Sequence, residues 1–128
     1  AMGDATLGVI TTFHYSAAHD SAENKAFLKS FAAANPGAGR PNFMAVAAYD
    51  GMNAIYEVSK KLNGKIDGDR AMAILKTMKF SSPRGPIAID PATRDIVQTV
   101  YVRKVEKVGN EVYNVEFDKF ENMKDTGK

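Results

Sequence analysis

The sequence predicts an α/β fold with elements in the order β-α-α-α-β-β-β and a C-terminal β-hairpin. Three observations carry this. A run rich in β-branched residues opens the chain, three stretches with apolar residues at helical spacing follow, and Gly109-Asn110 separates two β-rich runs near the end. The 128 residues suit a single segment of domain size. Hydrophobic residues at 45% and charged residues at 25% indicate a chain that folds around a core.

Thr6-Leu7-Gly8-Val9-Ile10-Thr11-Thr12-Phe13 reads as the first strand. It is apolar on both faces and is therefore expected to be internal. Asp20 and Ser21 offer caps for the first helix, with Glu23 at the spacing of a capping box from Asp20. Phe27, Leu28, Phe31 and Ala34 form its apolar stripe, and Asn35-Pro36-Gly37 ends it. A second helix follows, with Met44, Ala48, Met52, Ile55 and Leu62 as its inward stripe. Lys60 and Lys61 suit its C-terminal dipole, and Asn63-Gly64 stops it. Asp67 or Asp69 caps a third helix carrying Met72, Leu75 and Met78, methionines read as core filler.

Ser81-Ser82-Pro83-Arg84-Gly85-Pro86 breaks the helical pattern, and Ile87-Ala88-Ile89 forms a short strand. Asp90 to Asp95 is a turn in which Arg94 pairs with a neighbouring carboxylate or clamps one from a ligand. A long strand from Ile96 to Val108 then turns at Gly109-Asn110 into a returning strand, Val112 to Phe117. The polar tail from Asp118 to Lys128 is expected to fray.

The chemistry available is narrow. With no cysteine, disulfides, thiol nucleophiles and thiolate metal sites are excluded. Seventeen basic against 15 acidic side chains, without a block of like charge, argue against a nucleic-acid partner. No apolar stretch approaches the ~20 residues of a membrane span. Ala1-Met2-Gly3-Asp4 has neither the basic region nor the apolar run of a signal peptide. His14 and His19 match no metal-ligand spacing, and HExxH, GxSxG, SxxK, P-loop and GxGxxG patterns are absent. No catalytic residue, metal site or cofactor is therefore expected, and the chain is not read as an enzyme. The informative stretch is Thr12-Phe13-His14-Tyr15-Ser16, because ligands in open α/β sheets bind beyond the carboxyl ends of strands. Aromatic rings and a histidine there can stack on a ligand and hydrogen-bond to it. Phe43, Met44 and Tyr49 form a second aromatic and soft group, for which core packing is the simpler role.

Five segments in order carry a resemblance. They are Gly8 to Tyr15 (GVITTFHY), Asn24 to Phe27 (NKAF), Ala48 to Met52 (AYDGM), Phe80 to Asp90 (FSSPRGPIAID) and Gln98 to Arg103 (QTVYVR). Together they resemble the C-terminal part of periplasmic solute-binding proteins of the branched-chain amino-acid type, over essentially the whole chain. The resemblance implies a type I periplasmic binding protein fold: two α/β lobes, joined by three crossovers, that close over a ligand. It implies a periplasmic protein that passes an amino acid or small carboxylate, aromatic ones included, to the membrane subunits of an ABC importer. A complete member needs two to three times this length, so the chain is expected to lack the first lobe, most of the second and the main ligand-carboxylate contacts. By the same resemblance, Thr12, Phe13, His14 and Tyr15 face the cleft from the second lobe, and Phe43 and Met44 lie on the crossover before the tyrosine-containing helix. His14 and Tyr15 suit an aromatic ligand. Such a segment visits both lobes and leaves apolar edges and faces uncovered, so the isolated chain is expected to self-associate. The competing reading is a self-standing α+β interaction module, without a small-molecule site, whose C-terminal hairpin pairs with a partner strand.

Overall fold

A computed structural model of the chain describes residues 3–126; the readings made for residues 1, 2, 127 and 128 lie outside that range. After a 3-10 turn at Gly3–Thr6 come β1 (Ile10–Phe13), α1 (Ala22–Ala34), α2 (Phe43–Lys61), α3 (Gly68–Leu75), β2 (Lys79–Ser82), β3 (Gly85–Ile89), β4 (Ile96–Val108) and β5 (Glu111–Met123). The five strands form one antiparallel sheet in the order β1-β4-β3-β2, with β5 on β4.

Side-chain caps set the helix starts. Ser21 accepts from the Asn24 N–H at 3.0 Å, Asn42 from the N–H groups of Met44 and Ala45, and Asp67 from that of Arg70 at 2.9 Å. Ser21 alone is the first cap; the Asp20 carboxylate pairs instead with Lys25 at 2.6 Å, so no capping box forms there. Asn63 and Gly64, at φ +50° and +75°, turn the chain out of α2 as expected.

Four expectations need correction. The first strand is shorter than Thr6–Phe13, and it is an edge: β1 pairs only with β4, and Ile10 is 56% exposed. Its two apolar faces suit an internal strand, but no second neighbour comes from the described residues. The 81–86 stretch is not merely a break. Ser82 and Gly85 pair across a tight turn at Pro83-Arg84, which adds a strand, β2. The tail does not fray at Asp118, because β5 continues to Met123 against β4 across two register shifts. Finally, α2 buries a different row from the one expected. Val46, Asp50, Val58 and the capping residue Leu62, four or eight apart, point inward with half-buried Ala54, whereas Met44, Met52 and Ile55 are exposed.

The interior is divided. One apolar cluster joins Tyr15, Phe27 and Val46, with Phe31 and Ala45 against it. The other joins Val58, Leu62 and Met78, with Ala71, Ile74, Leu75, Phe80 and Ile89. Two elements run past both. The N-terminal end of α2 serves the first cluster and its C-terminal end the second. The start of β4 pairs with β3 through Ile89 and Ile96, while its later residues Tyr101 to Lys104 pair with β1. The segment thus joins two packed regions through α2 and β4.

Candidate functional site

The aromatic residues singled out at the end of β1 and the start of α2 meet at the junction of these regions. Phe13 and His14 stack, with centroids 4.3 Å apart and planes at 28°. Phe43 stands edge-on to both, 5.1 Å from Phe13 and 6.0 Å from His14. Such offset and edge contacts are the geometry that ring quadrupoles favour. Phe43 arrives there because the Asn42 cap makes it the first helical residue of α2.

Two cations act on these rings, both more than nine-tenths buried. The Arg84 Nε donates to Asp50 Oδ2 at 3.0 Å, and its Nη1 donates to Gln98 Oε1 at 2.6 Å. Ser82 Oγ also donates to Asp50 Oδ2, at 2.8 Å, and Tyr101 Oη donates to the Arg84 carbonyl at 2.9 Å. Burial pushes the Asp50 carboxyl up, against the pull of Ser82 and Arg84; the ion-pair geometry is that of the ionised carboxylate. Arg103 donates from Nη1 to the Tyr15 carbonyl at 2.6 Å, and its guanidinium lies 5.5 Å from the Phe13 ring centroid. Its Nε has no partner among the described residues. These surroundings hold the His14 imidazole below its ordinary pKa, first through burial and then through repulsion by Arg84 and Arg103.

The other residues predicted for the site stand next to these rings in different settings. Tyr15 is 4% exposed, packs with Phe27 and Val46, and donates from Oη to Asn24 Oδ1 at 3.1 Å. Burial raises its phenol to about 12. In this chain the ring is a core group that steadies the strand end, and only its carbonyl reaches Arg103. Thr12 is exposed, and Met44 is 65% exposed beside Phe43. Sequence reasoning missed Arg84 and Arg103 as site residues. A signal existed for Arg103: Thr99, Tyr101, Arg103 and Val105 alternate along β4 and all face inward. Arg94 pairs with neither neighbouring carboxylate; Asp90 takes the Lys124 ammonium at 3.2 Å.

A cavity of about 260 Å³ adjoins the rings, lined by Phe13, Tyr15, Phe43, Arg40, Arg103 and Tyr113 among others. It is close to the lower end of the ~300–1,000 Å³ typical of small-molecule pockets. A larger recess of about 630 Å³ lies against β5, lined by Glu23, Glu116, Asp118 and Glu121 together with His19 and Lys119. Among the described residues no group of three or more His, Asp or Glu is placed to hold a metal. No described helix is long and apolar enough to cross a membrane.

Comparison with known proteins gives a consistent family. A family model described as "Periplasmic binding protein" matches residues 1–110. The Leu/Ile/Val-binding protein homolog 6 of Brucella abortus is 42% identical over 128 residues, 99% of this chain and 33% of that protein. A solute-binding protein of an ABC transporter from Rhodopseudomonas palustris BisB5, solved with 3,4-dihydroxybenzoic acid, is 56% identical with a TM-score of 0.92; the match covers 99% of this chain and 34% of that one. Another, from Rhodopseudomonas palustris HaA2 with p-hydroxybenzoic acid, is 44% identical with a TM-score of 0.90, over 97% and 34% of the two chains. The chain therefore spans about a third of the length of the relatives it matches.

Proposed function

The chain belongs to the periplasmic binding protein family and matches its C-terminal part, and from that premise we propose that it serves in the solute-binding component of an ABC importer with a hydroxylated aromatic carboxylate as ligand. The observation that carries the aromatic part of this reading is the Phe13–His14–Phe43 cluster, with Arg84 and Arg103 acting on it. A flat anion meets ring faces and edges there, in a field of positive sign. Phe13, His14 and Phe43 are its contacts, Thr12 and Met44 lie at the rim, and Tyr15 supports the strand end from within. The ligands of the two Rhodopseudomonas proteins favour the same chemical class. The complete protein acts outside the cytoplasm, hands its ligand to the importer's membrane subunits and does no chemistry on it. Closure follows because only the closed state brings both lobes onto the ligand.

The test is thermal unfolding of the full-length protein with 4-hydroxybenzoate, 3,4-dihydroxybenzoate or leucine. A ligand at 100 times its Kd stabilises by about 2.7 kcal/mol, so the aromatic acids should raise Tm clearly while leucine leaves it unchanged. A rise with leucine alone would replace this reading with an amino-acid carrier, the class for which the Brucella relative is named.

The premise also bears on the chain in isolation. Met44, Tyr49, Met52, Ile55 and Tyr56 leave a broad apolar face of α2 exposed. The open edge of β1 adds unpaired backbone groups. Large apolar patches and free strand edges drive association. Sedimentation of the isolated 128-residue chain should therefore give dimers or larger species. A monodisperse monomer would contradict this and favour the self-standing module.

A further inference from the structure

We propose that His14 reads the 4-hydroxyl of the aromatic ligand through an imidazole fixed by Phe13 and Phe43. The inference rests on the aromatic-acid reading and adds to it a residue that sets specificity. Stacking on Phe13 and the edge of Phe43 hold the imidazole plane, so its polar points are the two ring nitrogens. Neither nitrogen has a hydrogen-bond partner among the described residues, although the residue is half-buried. A polar group in that position is free to meet a ligand, and leaving it unpaired in a closed cleft is unfavourable.

The neighbouring charges decide what it meets. The cations facing His14 are Arg84, from the β2–β3 turn, and Arg103, from β4. Both are buried and already engaged, Arg84 by Asp50 and Gln98 and Arg103 by the Tyr15 carbonyl and the Phe13 face. Protonation of His14 would place a third cation beside them, so the ring keeps a lone pair on one nitrogen. That lone pair accepts a hydrogen bond, and a phenol is a good donor for it. The hydroxyl at position 4 is the one shared by the ligands of the two Rhodopseudomonas proteins.

The experiment is calorimetric titration of the full-length protein with 4-hydroxybenzoate and with benzoate. The wild type should prefer 4-hydroxybenzoate by about tenfold or more, as a site built to pair a hydroxyl rejects the analogue lacking it. His14→Phe keeps an aromatic ring and removes both nitrogens. Its preference for 4-hydroxybenzoate over benzoate should fall to about threefold or less. His14→Gln, which keeps a donor and an acceptor, should retain most of the preference, and its melting curve controls for folding. An undiminished preference in His14→Phe overturns the proposal. So does an equal loss of both ligands, which would put the carboxylate end at His14. If the wild type binds neither acid, the aromatic-acid reading itself falls; if it binds both and only the variants disagree, the assignment of His14 alone falls.

Discussion

Asp50→Ala should destabilise the full-length protein by about 3–5 kcal/mol, the usual consequence of removing one partner of a buried ion pair. Asp50 is the ionisable member of the inward row on α2, and it is 4% exposed. Its carboxylate receives the Arg84 Nε and the Ser82 hydroxyl on one oxygen. Alanine leaves the Arg84 guanidinium, itself 7% exposed, with Gln98 but without a counter-ion. The loss reaches beyond the pair, because Arg84 and Ser82 are where the β2–β3 turn meets α2, and Gln98 and Tyr101 tie that turn to β4. A second variant separates charge from shape. Asp50→Leu with Arg84→Met removes both ions, and replacing a buried pair with apolar groups is often nearly neutral. Urea unfolding should therefore show the double variant well above Asp50→Ala in midpoint. An Asp50→Ala loss under about 1 kcal/mol would show that the pair behaves as a solvated surface bridge.

The contrast between this pair and the exposed face of α2 shows where sequence reading succeeded and where it failed. Element order apart from β2, the Asn63-Gly64 stop, a cap at Asp67 or Asp69 and the Gly109-Asn110 turn were legible, because each depends on local chemistry. Gly109, at φ +63°, occupies a turn position that suits a residue without a side chain. The meeting of Phe13, His14 and Phe43 was legible only as candidates, since nothing local says that a strand end and a helix start 30 residues later will touch. The inward face of α2 was not legible. The helix carries apolar residues on both sides, Val46 and Val58 on one and Met44, Met52 and Ile55 on the other. Periodicity finds an apolar stripe but cannot rank two of them, and a charged residue at Asp50 argued locally against the stripe that is in fact buried. The same ambiguity made β1 look internal. In both places apolar residues stand exposed among the described residues. Arg84 and Arg103 were missed for the complementary reason: a buried arginine reads as a surface residue until its acceptors are known.

Gly85→Ala should be comparably disruptive, through a different term. Gly85 follows the Pro83-Arg84 turn at φ +98°, a conformation in which a side chain is strained by about 1–3 kcal/mol. Space adds to the problem, since a Cβ on Gly85 would lie 2.5 Å from Tyr101 Oη. That hydroxyl cannot swing away freely, because it donates to the Arg84 carbonyl at 2.9 Å and Tyr101 is 5% exposed. Overpacking a filled site adds about 1–3 kcal/mol, so a combined loss of about 2–6 kcal/mol is expected. The effect should also reach the ligand site, for the Arg84 main chain is the acceptor that Tyr101 holds and its charge acts on His14. Tyr101→Phe separates the two contributions. Alone it removes one buried hydrogen bond, worth about 1 kcal/mol. Combined with Gly85→Ala it removes the clash but not the backbone strain, so the double variant should be more stable than the sum of the single losses predicts. Additive losses in thermal unfolding would mean that the Tyr101 hydroxyl is not the obstacle. A Gly85→Ala protein with unchanged Tm would mean that the turn relaxes without help, and that the grip of β4 on Arg84 is looser than the geometry indicates.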